Sequence, residues 1–318
     1  MNIILSSSPC SAEDLIVKSF DTPKTGISQR SESYDDVKDR GIIISSPGER
    51  VTLVGAELAL EARRQILKMT SRAQSAHVAS ALSVVDIVAA IYSSVPFDSG
   101  PTGFSSSRNR LFFSKGHAAS ALYSVLALKG FFPIDWLDRY CLDGAELGGH
   151  VTYGVPGVEL STGSLGHGLP FAVGVALANK REESEARTFV VMSDGELNEG
   201  SNWEALLVAS HHNLSRIDVF IDRNRLQSLR NTENTLALEP LAAKFEAFGW
   251  IALTIDGHDH GQLERVLSEK DFSGPPRAII CETVKGKGVS FMENQVKWHY
   301  RPPNESELVA ALSELSLP

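Results

Sequence analysis

Two short stretches of this sequence combine residue types and spacing that point to metal and phosphate chemistry. Asp194-Gly195-Glu196-Leu197-Asn198-Glu199-Gly200 follows an apolar run, and Asn224-Arg225-Leu226 follows the next one. Their separation of roughly thirty residues is that of a strand, a helix and a second parallel strand. Parallel strands bring both residues to the carboxyl edge of one sheet, where open α/β folds hold ligands. A carboxylate from Asp194, an amide oxygen from Asn224 and a backbone carbonyl close by are the hard oxygen donors that magnesium takes. A divalent ion there would bridge to phosphate, offsetting the net charge of -9 that otherwise repels it. Singly, Asp194-Gly195 also reads as a turn or helix cap, and Asn224 as a turn residue after a strand.

The elements that must position these residues are legible as alternating β-rich and helical runs. Strands are expected at Leu111 to Phe113, Thr188 to Met192, Ile217 to Ile221, Trp250 to Ile255 and Arg277 to Cys281. Their continuous hydrophobicity predicts cover on both faces. Helices are expected at Leu53 to Thr70, Ser83 to Tyr92, His117 to Lys129, Leu165 to Glu183, Asn202 to Asn213, Leu241 to Phe248 and Gln262 to Glu269. The alternation predicts an α/β domain with a parallel sheet and helices on both faces, spanning 49–318. Residues 1–48 show no sustained apolar period and are expected to form a flexible tail, with at most a short strand at Ile42-Ile43-Ile44.

Composition narrows the function classes. The 318 residues are 42% hydrophobic and 22% charged, enough for a sizeable core, which excludes wholesale disorder. With 30 Lys and Arg against 39 Asp and Glu, general nucleic-acid binding is not expected. The three cysteines, Cys10, Cys141 and Cys281, are too scattered for a disulfide framework or a zinc site, so a cytoplasmic location is expected. No apolar run approaches the roughly 18 residues of a membrane helix, so no membrane association is expected.

With Glu199-Gly200 and Trp203-Glu204-Ala205, the Asp-Gly to Asn pattern reproduces the signature of thiamine diphosphate binding. Ser114-Lys115-Gly116-His117, Gly149-His150, the Gly157 to Gly168 run, Asp256-Gly257-His258-Asp259 and Trp298-His299 extend the match in order. From roughly Leu53 to Pro303 the sequence resembles the N-terminal, diphosphate-binding half of a transketolase. That resemblance implies thiamine diphosphate with Mg2+, or another divalent cation such as Ca2+ or Mn2+, on Asp194, Asn224 and Leu226. It places Gly195, Glu196 and Leu226 at the cofactor, and His117 and His258 near its diphosphate. His77, His150 and His258 would surround the thiazolium and the donor's hydroxyls, where an imidazole of near-neutral pKa can move protons. The backbones of Gly163 and Leu165 would contact the aminopyrimidine, and Glu199 would sit at a subunit contact linking paired sites.

The activity so implied is transfer of a two-carbon ketol unit from a ketose (phosphate) donor to an aldehyde acceptor, the cofactor supplying the carbanion chemistry. The glutamate that activates the aminopyrimidine comes, in such enzymes, from a pyrimidine-binding domain expected on a separate C-terminal transketolase subunit, in an α2β2 assembly. Alternatives are the α subunit of a 2-oxo-acid decarboxylase or dehydrogenase, and a non-catalytic cofactor-binding subunit. The reading as a magnesium-dependent phosphatase is weaker, because Asp194-Gly195-Glu196 lacks a second aspartate.

The sequence departs from the family pattern at Ala76, Ala79, Ser193 and Tyr300, at Val151 after His150, and at His167, which is expected still to line the cofactor site. Ala76, Ala79 and Tyr300 are expected to add bulk near the donor channel. Lys285-Gly286-Lys287-Gly288 lacks the Ser or Thr of a nucleotide loop and is expected to be a mobile loop. His211 and His212 are expected at the surface, and His260 and His299 carry no assignment.

Overall fold

A computed structural model describes residues 53–98 and 108–316. The expected tail 1–48, its strand at 42–44 and Cys10 lie outside the described residues. Among the described residues a parallel sheet runs in the order β1-β2-β3-β5-β4, with β1 Arg110–Phe113, β2 Thr188–Ser193, β3 Ile217–Arg223, β4 Ile251–Asp256 and β5 Arg277–Glu282. Each strand coincides with an expected one to within two residues at either end. The register pairs Ser193 with Asp222 and Arg223 with Glu282. Residues following β2, β3 and β5 therefore emerge side by side at one edge.

Alternation along the strands sorts side chains into two cores. Phe189, Val191, Phe220 and Ile279 face one apolar layer; Val190, Met192, Val219, Ile221 and Ile280 face the other. The first layer is closed by α1 Gly55–Arg72, α2 Val78–Ser94, α3 Ala119–Leu128 and, later in the chain, α8. The second is closed by α4 Gly168–Arg181, α5 Gly200–His211 and α7 Leu241–Ala247. The short α6 Thr232–Thr235, α8 His260–Leu267 and α9 Glu305–Glu314 complete the described helices. α9 carries a capping box in which Asn304 and Glu307 bond each other's backbone amides, a start signal that apolar periodicity does not contain.

Two expectations are corrected. The helix expected from Leu165 begins at Gly168, after Gly166 turns the chain at φ +85°. The β4 strand is only partly covered: it is an edge of the sheet, Ile255 and Ala252 pack against the two layers, and Ile251 is exposed. Ala79 is buried in the core of the first layer. Among the described residues no helix is long and apolar enough to cross a membrane.

Candidate cofactor site

The carboxyl ends of β1, β2, β3 and β5 and the N-terminus of α2 enclose a pocket of ≈ 260 Å³. Nine residues singled out from the sequence line it: His77, His117, His150, Gly163, Leu165, Asp194, Gly195, Asn224 and Leu226. Asp194 directly follows β2 and is 2% exposed. Its Oδ1 accepts from Gly195 N at 2.7 Å, and its Oδ2 from Arg225 N at 2.7 Å and Arg223 Nη1 at 3.0 Å. Burial, and then the neighbouring Asp222, push its carboxyl above the usual range against the pull of Arg223. Asn224 Oδ1 accepts from Leu226 N at 3.1 Å.

The donor set fits a hard divalent cation. Three oxygen-bearing groups from Asp194, Asn224 and Leu226 line one pocket, and a cation would relieve the penalty on the buried Asp194 charge. Among the described residues no three His, Cys, Asp or Glu side chains are grouped as metal ligands, so such a site must draw on amide and carbonyl oxygens.

Four imidazoles meet at the opposite wall. The His77 ring centroid lies 5.1 Å from that of His117, 5.8 Å from His150 and 5.0 Å from His299. His77 has φ 74° immediately before α2, and its N–H donates to the His299 carbonyl at 2.7 Å, so backbone bonding holds a strained residue in place. Burial, then the charges of His150, Lys285 and Lys115, lower His77 to about 4. Burial and then Lys285 lower His299 to about 3, and burial with Lys115 holds His117 well below its ordinary value. His77, His117 and His299 are therefore neutral acceptors and donors near pH 7. Gly163 has φ +146°, and a Cβ there would fall 2.7 Å from His150 Cδ2, so glycine lets the backbone lie against that ring.

Three residues expected at the cofactor, His258, Glu196 and His167, lie outside the pocket lining. His258 is not in the pocket lining: its Nδ1 is 2.6 Å from Asp86 Oδ2, and its Nε2 accepts from Val284 N at 2.8 Å. The β4 end that carries it is the sheet edge, away from Asp194 and Asn224. His299, unlike His258, lines the pocket beside His77. Glu196 is fully buried behind the pocket, accepting from Ser114 Oγ, from Gly166 N at 3.0 Å and from Ser193 N at 3.3 Å; it ties three loops together, and burial pushes its carboxyl up. Glu199 is exposed at the start of α5. His167 is exposed and lines a separate cleft with Leu160 and Phe171.

Sequence reading missed Lys115, Lys285 and His299 as pocket residues. Lys285 is 1% exposed rather than part of a mobile loop; its Nζ donates to Leu226 O at 2.9 Å, to Gln227 O at 3.3 Å and to His299 Nδ1 at 3.0 Å. Burial, then Lys115, lower it to about 8. The available signal was position: Lys285 follows β5 as Asn224 follows β3. Lys115, also 1% exposed, pairs with Asp222 and donates to Ser80 O at 2.8 Å. Of the departures, Ser193 lines the pocket, and Tyr300 is 57% exposed with its ring 4.7 Å from that of His299. Val151 N donates to Gly116 O at 3.2 Å, a bond a proline could not make. Ala76 is half-buried, His211 exposed and His212 half-buried.

A parallel sheet covered on both faces, with Asp-Gly and Asn at adjacent carboxyl ends, defines an α/β protein of the thiamine-diphosphate-binding class. The chain belongs to the transketolase family, whose thiamine diphosphate binding domain matches residues 56–317. It is 38% identical over 255 residues to one subunit of an apulose-4-phosphate transketolase from Actinobacillus succinogenes, covering 80% of this chain and 92% of that one. It is 36% identical over 256 residues to a 6-deoxy-6-sulfo-D-fructose transketolase subunit from a Clostridium species, covering 80% and 93%. The crystal structure of transketolase from Campylobacter jejuni superposes with a TM-score of 0.77 at 28% identity, over 82% of this chain. This chain spans only 42% of that one. The protein is thus a thiamine-diphosphate-dependent transferase of transketolase type.

Proposed function

We propose that the pocket holds the diphosphate end of thiamine diphosphate through Mg2+ bound by Asp194, Asn224 and the Leu226 carbonyl, and that a partner chain completes the site. The observation that carries this reading is the convergence of those three oxygen donors with His77, His117, His150 and His299 in one pocket. When bound, the cofactor supplies the carbanion chemistry of ketol transfer. Lys285 offers positive charge toward the diphosphate, while Lys115, paired with Asp222, steadies the pocket floor. Gly163 and Leu165 offer backbone to the ring system, and His77 and His150 offer imidazoles that can hold or pass the donor's hydroxyl protons. Glu199 would meet the second chain, a role supported by its exposure at the start of α5.

The relatives' names pair a phosphate with one ketose and a sulfo group with another. We take the donor here to be a ketose with an anionic substituent and the acceptor an aldehyde. The partner is a transketolase subunit bearing the pyrimidine-binding domain, in an α2β2 enzyme of the cytoplasm, where Cys141 and Cys281 remain free thiols. The site is assigned to 49–318, and no part of it to the tail 1–48. Mixing the chain with its partner subunit, thiamine diphosphate and Mg2+, and following ketol transfer from phosphorylated and sulfonated ketoses, tests the reading. Transfer dependent on both chains is expected; cleavage of 2-oxo acids in place of ketoses would overturn it.

A further inference from the structure

A buried polar cluster lies outside the pocket, on its β5 side. Asp86, on α2, is 4% exposed and accepts from both terminal nitrogens of Arg63 on α1, from His258 Nδ1 at 2.6 Å and from His260 Nε2 at 3.1 Å. The second nitrogen of His258, Nε2, lies 2.8 Å from Val284 N. A backbone N–H can only donate, so Nε2 accepts and the ring proton sits on Nδ1, facing Asp86. Arg63 Nε reaches Lys287 O at 3.3 Å. One cluster thus grips the chain at Val284 and at Lys287, on both sides of the buried Lys285.

We propose that His258, oriented by Asp86, is a positioning residue for Lys285: by accepting the Val284 N–H it fixes the backbone that carries the Lys285 ammonium into the cofactor pocket. The local chain leaves little other choice of path. Gly286 has φ +83°, its N–H donates to Ala79 O at 3.0 Å, and a Cβ on it would fall 2.4 Å from Met292 O. Val284 is the residue next to Lys285, so its amide direction sets where the lysine stem starts. The far end of that stem then bridges Leu226 O and His299 Nδ1. His258 acts on the pocket without touching it, as outer-shell partners do for metal ligands. The inference rests on the proposed reading of the pocket.

Two variants separate the roles of the ring nitrogens. His258→Asn keeps a donor toward Asp86 and removes the acceptor for Val284; His258→Gln places an amide oxygen near the position of Nε2. In the full chain alone, hydrogen exchange across 284–287 is expected to quicken about tenfold in His258→Asn and to return most of the way in His258→Gln. With the partner subunit present, the Kd for thiamine diphosphate with Mg2+ is expected to rise roughly tenfold in His258→Asn. Lys285→Met should weaken binding comparably, and adding His258→Asn to it should cost less than a further twofold, since both act through one contact. Unchanged exchange and affinity in His258→Asn, or fully additive losses, would overturn the inference. If His258→Asn does not fold, His258→Gln decides: binding within threefold of wild type supports the lever, and tenfold weakening overturns it. Wild-type protein that binds no thiamine diphosphate would overturn the pocket reading instead, while the exchange result on the chain alone would still judge the link from His258 to Val284.

Discussion

Asn224 Nδ2 donates to Asp222 Oδ2 at 3.2 Å, and this contact decides which end of the Asn224 amide is left for the pocket. Ser83 Oγ takes the same amide nitrogen at 3.2 Å and itself donates to Asp222 at 2.6 Å. Asp222 is fully buried, and Lys115 supplies its countercharge. Lys115→Met would leave that carboxylate buried without a cation, which typically costs about 3–5 kcal/mol. Chemical denaturation of the variant should register a loss of that order. A loss below about 1 kcal/mol, the range of exposed pairs, would mean that the pair does not stabilise the pocket floor.

Asp194→Asn should weaken metal and thiamine diphosphate together. The substitution keeps size and one oxygen but removes the charge that would face a divalent ion, an interaction on the order of 4 kcal/mol per unit pair at 4 Å and an effective dielectric near 20. Calorimetry with Mg2+ and thiamine diphosphate, partner present, reads this directly. Unchanged affinity would remove Asp194 from the metal site.

The parts of this architecture that periodicity and strand endings encode were legible in the sequence. Asp194 and Asn224 were found because each follows an apolar strand, and the register between β2 and β3 brings those two strand ends together. His258 was misplaced for a related reason: it too follows a strand, but that strand pairs outside β5, at the edge. Strand order is a non-local property that local patterns do not carry. Lys285 was missed because lysine is seldom buried, and here its partners are carbonyls and an imidazole distant in the sequence. His299 belongs to a short helical turn, Val296–His299, with no periodic signal.

The apo protein should lose stability on mild acidification. His77 and His299 have folded values of about 4 and about 3, below the ordinary 6.5. The unfolded chain therefore binds more protons than the native one between those values and 6.5, and stability rises with pH across that window. From pH 6.5 down to about 5 the imidazoles carry the slope. At lower pH carboxylates held low, such as Asp86 with His258, His260 and Arg63 bonding its buried charge, add to it. Thermal unfolding without cofactor or metal should show Tm falling from pH 6.5 to 5, less steeply in His299→Asn. A flat Tm over that interval would contradict the neutral burial of these rings.

Gly163→Ala should damage the site out of proportion to its size. A non-glycine residue at φ +146° costs on the order of 1–3 kcal/mol, and its Cβ would lie 2.7 Å from His150 Cδ2. The His150 ring would have to move from its place 5.8 Å from His77. Ketol transfer with the partner present should fall at least tenfold while the circular dichroism of the chain stays native. Wild-type turnover in this variant would show that neither the close approach nor the ring position matters.

Assembly supplies the last prediction. α5 starts beside the metal motif, with Glu199 as its exposed N-cap, yet the helix leaves Leu207 58% and Val208 43% exposed, and Phe171 on the neighbouring α4 is 49% exposed. Exposed apolar side chains on neighbouring helices are the kind of surface that association buries, so assembly is expected to use this face. Substituting exposed residues alters folding stability by only about 0.5 kcal/mol in either direction, so Leu207→Glu with Val208→Glu should leave the isolated chain folded. The same charges buried against a partner would be costly and should block assembly. Sedimentation of wild type mixed with the pyrimidine-domain subunit should show a four-chain complex with ketol transferase activity, and the double variant should show neither. Full turnover by the isolated chain, or an unimpaired complex from the double variant, would refute assembly through this face as the step that completes the site.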